Sequence, residues 1–436
     1  MHNRRLRFVT VFLLCALVGC TTEERLDYGN GIAAAQLPEC DPDNGGIELP
    51  EGFCAVVVAD SVGSARHIVV DQSGDVYVAI RQTQAVPGGI VALRDTTGDG
   101  RADVMEKFGP VGGTGIDLRD GYLYFAPDTA LIRYPLAADA FVPDGSYEMV
   151  VSGLPVGGAH AAKPFTFDDQ GNIYVNIGAP SNACQEQDRT VGSPAPDPCP
   201  LLERFGGIWR FPAHRTGLTY DADGERFATG IRNAVALDWN SNTNNLYALQ
   251  HGRDMLSVLF SDLYTEEESA ELPAEEFFLI NEGDDFGWPY CYYDQIQNKK
   301  VLAPEYGGDG TEGGRCEQAE NPIMAFPGHW APNDLLFYDG SQFPQRYRNG
   351  AFIAFHGSWN RAPLPQQGYK VVFVPFDGET PSGEYEVFAD GFKGVETLEN
   401  PSDAAYRPVG LAVGPDGSLY ISDSQKGRIW RVMYKG

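Results

Sequence analysis

The sequence predicts an all-β fold: a six-bladed β-propeller of four-stranded antiparallel blades, with disulfide-bearing loop insertions. Two observations predict it. A turn-plus-strand signature recurs six times in the 436 residues. Almost no stretch carries the 3.6-residue apolar period of a long amphipathic helix.

The first copy of the signature is Asp71-Gln-Ser-Gly-Asp-Val-Tyr-Val-Ala. It returns as Arg119-Asp-Gly-Tyr-Leu-Tyr-Phe-Ala, Asp169-Gln-Gly-Asn-Ile-Tyr-Val-Asn, Asn242-Thr-Asn-Asn-Leu-Tyr-Ala-Leu and Asp416-Gly-Ser-Leu-Tyr-Ile-Ser-Asp, with a weaker copy at Tyr347-Arg-Asn-Gly-Ala-Phe-Ile-Ala. The Asp, Asn and Gly tips suit the positive φ of tight turns. The residues after them alternate with period two, as strands do. A second strand pattern stands upstream of several copies, as in His67-Ile-Val-Val and Gly410-Leu-Ala-Val. Copies spaced by roughly 45–50 residues match the length of a four-stranded blade. An array of two-sheet sandwiches is the competing architecture. The surplus sequence falls into three insertions, 178–207, an acidic 262–276, and 290–327. One short helix is expected, within 264–276.

The N-terminus sets the compartment. Arg4, Arg5 and Arg7 precede an apolar run at 8–18 that is too short for a finished transmembrane helix. The run ends in Leu17-Val18-Gly19-Cys20, which resembles a bacterial lipobox. The expected organisation is a lipoprotein signal peptide at 1–19, a lipidated tether at 20–46 beginning with Cys20, and the propeller at 47–436. Ordinary signal-peptidase cleavage is the alternative. Thr21, where an Asp would favour the inner membrane, points to the outer membrane and the periplasm. Membrane contact would then be through the lipid only. Labelled palmitate should enter the wild-type protein and not Cys20→Ser. Labelling and membrane fractionation that survive the substitution would remove the anchor from this reading.

Export agrees with the cysteines. Beyond Cys15 and Cys20 stand Cys40, Cys54, Cys184, Cys199, Cys291 and Cys316. An even set in an exported chain suggests disulfides. Fifteen pairings are formally open. The sequence-local ones, 40–54, 184–199 and 291–316, would each close one loop. No pair has CxxC spacing, which argues against zinc or redox motifs, and no CxxCH haem site is present. The formal charge of −28 becomes about −31 after the signal is removed, because three Arg leave and no acid does. Such a surface repels nucleic acid and anionic lipid. Solubility accounts for much of it.

The strongest ligand signal within the chain is Asp95-Thr-Thr-Gly-Asp-Gly-Arg-Ala-Asp-Val-Met-Glu106. Oxygen donors fall at the spacing of an EF-hand loop: Asp95, Thr97, Asp99, Asp103, Glu106 and the Arg101 carbonyl, with Gly100 at the sharp turn. The expectation is a structural calcium ion. The alternative is an ordinary Asp/Gly hairpin.

Further motifs carry a resemblance. They are Leu49-Pro-Glu-Gly-Phe, Ser64-Ala-Arg-His-Ile, Gly230-Ile-Arg-Asn, Gly283-Asp-Asp-Phe-Gly-Trp-Pro-Tyr-Cys-Tyr, His356-Gly-Ser-Trp-Asn-Arg, Gly368-Tyr-Lys-Val and Arg407-Pro-Val-Gly-Leu-Ala-Val. Over about 46–434 the chain resembles the pyrroloquinoline-quinone (PQQ) and calcium-dependent sugar dehydrogenases, nearest the sorbosone and pyranose branch. The soluble glucose branch has a cofactor lysine where this chain has 356–361. The resemblance implies hydride transfer from an aldose or sorbosone-like sugar to PQQ. Electrons would pass to a separate acceptor, a cytochrome or a quinone. It implies His160, in Gly157-Gly-Ala-His-Ala-Ala-Lys-Pro, as the general base. Arg232 would lie near the reactive carbonyl, and Asn233 would bond the developing oxyanion. Arg66, Arg361 and Arg407 are further cations for the cofactor carboxylates, with Trp359 and Asn360 beside them and Trp330 as a wall for the sugar. A second, cofactor-bound calcium would use the Gly252 and Arg253 carbonyls. Two other functions compete. One is a cofactor-free envelope propeller that binds glycans or a protein. The other is a lactonase-like hydrolase, for which no matching Glu/Asn/Asp set is evident.

Overall fold

Each of the six signature copies folds as the second strand of a four-stranded antiparallel sheet. The computed structural model describes residues 37–85 and 87–436; the signal segment, Cys20 and the first part of the tether lie outside the described residues. The first blade holds Ala65–Val70, Val76–Ile80, Gly89–Arg94 and Val104–Phe108. The second holds Gly113–Arg119, Tyr122–Pro127, Ala130–Pro135 and Glu148–Ser152, with Leu218–Thr219 added in parallel at its edge. The third holds Phe165–Phe167, Asn172–Ile177, Gly207–Pro212 and Glu225–Thr229. The fourth holds Ala236–Asn240, Asn245–Gln250, Glu275–Ile280 and Met324–Phe326. The fifth holds Pro332–Phe337, Ala351–Phe355, Lys370–Val374 and Glu386–Ala389. The sixth joins Pro408–Val413, Leu419–Asp423 and Ile429–Tyr434 to Phe53–Ala59 from the other end of the chain. The predicted propeller is therefore the observed fold, and the sandwich array is excluded.

The first strand of each blade contacts that of the next, and the sixth contacts the first, so the ring closes. Hydrogen bonds reinforce it from inside. Asp238 Oδ2 accepts the Phe337 N–H at 2.9 Å and Asp334 Oδ2 accepts the Leu411 N–H at 2.8 Å, each bridging one blade to the next. Apolar side chains fill the space between blades. Leu131, Val150 and Val151 of the second, for example, pack on Ile173, Val175 and Phe211 of the third. Phe53, in the strand that closes the ring, meets Phe343, Tyr347, Phe388 and Tyr434 edge-on or tilted.

Local chemistry explains the turns. In Arg119-Asp-Gly-Tyr the strands are joined by two residues with φ of 51° and 77°, which Asp120 and Gly121 adopt readily. The expected helix is Glu266–Glu271, started by a capping box between Thr265 and Glu268.

The three sequence-local disulfides form: Cys40–Cys54, Cys184–Cys199 and Cys291–Cys316, with Cα separations of 5.9, 6.2 and 5.7 Å. One boundary moves. Residues 38–46, assigned to the tether by sequence, belong to the folded unit 38–436. Their anchors are the Cys40–Cys54 bond and the Gly45 carbonyl, which accepts from Arg428 Nη1 and Trp430 Nε1.

Candidate active site

In an antiparallel blade, the loop after the second strand and the loop after the fourth leave at the same end. At that end of the ring the loops enclose a cavity of about 280 Å³. The residue directly after the second strand is Arg81, Asp128, Gly178, His251, His356 or Ser424 in blades one to six. Four of these six line the cavity. Gly178 lies against His160 and Asn233, and Ser424 Oγ is 2.7 Å from His356 Nε2. This blade position therefore builds the site.

The cavity is cationic inside an acidic chain. Arg66, Arg81 and Arg407 line it, against the single carboxylate Asp128. Arg407 is held by the His356 and Gly357 carbonyls at 3.1 and 2.5 Å. Arg66 is 8% exposed, its Nε has no protein partner, and burial together with nearby Arg81 lowers its pKa to about 10. A buried, under-bonded guanidinium is what an anionic ligand would complete. The sequence-predicted Trp359 stands 60% exposed at the rim.

His160 and Asn233 face the cavity together. His160 Nδ1 lies 2.5 Å from the Ala179 carbonyl, which can only accept, so Nδ1 carries the proton and Nε2 keeps its lone pair. Burial and the Arg232 charge lower its pKa to about 3, so the ring is neutral at pH 7. The Asn233 amide can be oriented by a chain of bonds. Asn176 Oδ1 accepts the Ala234 N–H at 3.1 Å, so its Nδ2 donates to Asn233 Oδ1 at 3.1 Å. That leaves Asn233 Nδ2 as the donor available to a ligand. Gly178 makes the approach possible, because a Cβ there would lie 2.4 Å from Asn233 Oδ1 and 2.8 Å from His160 Cβ.

Arg232 sits behind this pair rather than on the cavity wall. Its guanidinium donates to the Gly252 carbonyl at 2.8 Å, Asn182 Oδ1 at 3.1 Å and Asp254 Oδ2 at 3.0 Å. Asp254 also accepts from Arg189 and from Asn360 Nδ2. Trp288 of the Gly-Trp-Pro motif donates to the Asn182 carbonyl at 2.9 Å, which ties that motif to the same network.

Several expected ligands are not brought to the cavity. Arg361 is buried against the Ala270 and Gly328 carbonyls and pairs with Glu271. Asn360 turns to Asp254, and Trp330 is core, packed on Phe355 and Tyr385. The Gly252 carbonyl accepts from Arg232, and the Arg253 side chain pairs with Glu305. The hairpin at 95–106 closes on itself. Asp95 accepts the amides of Thr97, Gly98 and Gly100, Asp99 that of Arg101, and Asp103 that of Thr96. Arg101 turns away to Asp41 and the Val57 carbonyl, and Glu106 is exposed on the following strand. Among the described residues no group of three or more His, Cys, Asp or Glu is placed to hold a metal ion.

Sequence reasoning missed Arg81, Asp128, His251 and Asp254. It also missed Lys163, a fully buried lysine whose Nζ donates to the Ala161 carbonyl at 2.6 Å and whose pKa burial lowers to about 8. Aligning the six copies one residue past their strand ends would have found the first three.

The family model for TrAA12-like proteins matches residues 47–435. The chain belongs to the TrAA12-like family. Two curated relatives of this TrAA12-like chain each match about half of it. An uncharacterised protein of Borreliella burgdorferi is 30% identical over 214 residues, covering 48% of this chain and 49% of the relative. A pyrroloquinoline quinone-dependent pyranose dehydrogenase of Coprinopsis cinerea is 28% identical over 235 residues, covering 47% of this chain and 30% of the relative. The chain thus spans half or less of the length of these relatives. Among solved structures, the holo form of the pyranose dehydrogenase PQQ domain from Coprinopsis cinerea superposes with a TM-score of 0.70 at 17% identity, covering 92% of this chain and 99% of that one. A calcium structure of the Trichoderma reesei family AA12 enzyme gives 0.72 at 17% identity, covering 89% and 97%. The likeness to PQQ-dependent sugar dehydrogenases read from the sequence holds at the level of family and fold.

Proposed function

We propose that this TrAA12-like propeller is a PQQ-dependent dehydrogenase of an aldose or related sugar. One observation carries the reading. A neutral His160 with a free Nε2 and the Asn233 amide share a cavity that also holds three arginines, in a chain of net charge −28.

Arg66, Arg81 and Arg407 suit the carboxylates of PQQ. When bound, PQQ supplies the acceptor for a hydride from the sugar carbon. His160 Nε2 takes the hydroxyl proton of that carbon as the hydride leaves, and the sugar becomes a lactone. Asn233 Nδ2 is placed as a donor to oxygen that gains negative charge. Arg232, through Asp254 and the Gly252 carbonyl, fixes the backbone that carries Asn233. Electrons delivered to a bound PQQ would leave to a separate acceptor, a cytochrome or a quinone.

The test is reconstitution with PQQ, followed by dye reduction over a panel of sugars. Arg66→Ala and Arg407→Ala should each weaken PQQ binding by roughly 10- to 100-fold, the worth of one hydrogen bond to a charged group. Fluorescence titration measures this directly. No quinone binding and no dye reduction with any sugar would favour a cofactor-free glycan-binding propeller.

A further inference from the structure

A second recess opens beside the cavity. It has a volume of about 560 Å³ and adjoins the cavity, with Arg81 and Asp128 lining both. We propose that this cleft is a second sugar subsite, and that the substrate is a saccharide of at least two rings whose terminal ring enters the cavity. The proposal rests on the sugar-oxidising reading above and adds the size of the substrate to it.

Four observations support it. The volume lies within the range of small-molecule pockets, where a few placed polar groups fix orientation. Beside Arg81 and Asp128, the cleft is lined by the neutral polar side chains of Gln82, Gln84 and Thr129, which both donate and accept hydrogen bonds as sugar hydroxyls require, and by the apolar Val111 and Pro127. Glycine lets the segments that form one wall of the cleft pack backbone to backbone. A Cβ on Gly112 would stand 2.3 Å from the Gln82 nitrogen, and one on Gly88 would stand 2.2 Å from Gly112 Cα. Finally, Asp128 stands at the junction, exposed, with no hydrogen bond or ion pair among the described residues. A carboxylate free to accept from two adjacent hydroxyls is a common anchor for a pyranose ring, and here it would face the first ring and the second at once.

The experiment compares kcat/KM for a monosaccharide, its disaccharide and its trisaccharide sharing one reducing-end ring, using the PQQ-loaded protein. The disaccharide should exceed the monosaccharide by about tenfold or more, which corresponds to about 1.4 kcal/mol. Thr129→Trp, which fills the cleft, should abolish that ratio, and Asp128→Asn should lower it. Circular dichroism checks that each variant folds. Equal kcat/KM at every chain length, unchanged by Thr129→Trp, overturns the subsite and leaves the dehydrogenase reading standing. Calorimetry of the protein without PQQ, titrated with the same saccharides, separates the two failures. Chain-length-dependent binding without oxidation of any sugar supports the cleft and sinks the redox reading. Binding of none of the saccharides overturns the cleft.

Discussion

His160→Ala is expected to bind PQQ as the wild type does and to lose roughly 10²- to 10⁴-fold in turnover, the usual worth of a positioned general base. The Ala179 carbonyl fixes the tautomer, and the ring lines the same cavity as Asn233. The acid–base behaviour then follows from burial. An unperturbed histidine near pH 6.5 would give the rate a limb in the physiological range. Burial and Arg232 instead lower the pKa of His160 to about 3. The proton-accepting form is therefore present throughout pH 5–8 and is lost only as the pH falls towards 3. The wild-type profile should show no histidine limb between pH 5 and 8. Stopped-flow measurement of the reductive half-reaction against pH checks both points. Turnover within tenfold of wild type in His160→Ala, with quinone bound, would remove His160 from the chemistry and return it to a structural role.

What the sequence made legible follows from how each interaction is encoded. The blades were readable because turn and strand are local. Asp120-Gly121 demands its turn and the alternating residues demand a sheet face, so six copies yield six second strands. The disulfides were readable because their loops are short. The closing strand, Phe53–Ala59, was not, since it pairs with Ile429–Tyr434 across almost the whole chain and nothing local marks that. The site divides in the same way. His160, Asn233, Arg66 and Arg407 lie in or beside motifs and reach the cavity. Arg361 lies in a motif too and is buried elsewhere, because a motif records what a segment needs and not which way each side chain turns. The loop at 95–106 has calcium-like spacing, yet the same Asp and Gly residues also satisfy a hairpin. Asp95, Asp99 and Asp103 accept amides of the loop itself, and Arg101 uses the tip to hold the segment at Asp41 and Val57.

Asp254→Ala should be the most destabilising change among the site residues, by about 3–5 kcal/mol, because it strips the partner from a buried charge. Asp254 had no motif to announce it, yet it ties five segments together. Its carboxylate lies 3.0 Å from Arg232 Nη2, 3.0 Å from Arg189 Nη2, 2.8 Å from Asn360 Nδ2 and 3.7 Å from His329 Nδ1. Burial alone would raise its pKa, but Arg232, His329 and Arg189 together hold it well below the usual carboxylate range. A depressed carboxylate stabilises the fold above its unfolded pKa, and that contribution is lost only as the pH falls through the lower, folded value. The full effect should therefore be present at pH 7. Arg232 is 3% exposed, so without Asp254 it retains only neutral acceptors: Asn182 Oδ1 and the His251 and Gly252 carbonyls. Chemical denaturation at pH 7 measures the loss. The double variant Arg232→Met with Asp254→Leu should recover much of it, since replacing both charges removes the desolvation cost as well as the attraction. It should not recover turnover, because the backbone that presents Asn233 would no longer be held at Gly252. A single Asp254→Ala that costs less than about 1 kcal/mol would mean that water reaches Arg232 and that the network is not what positions the site.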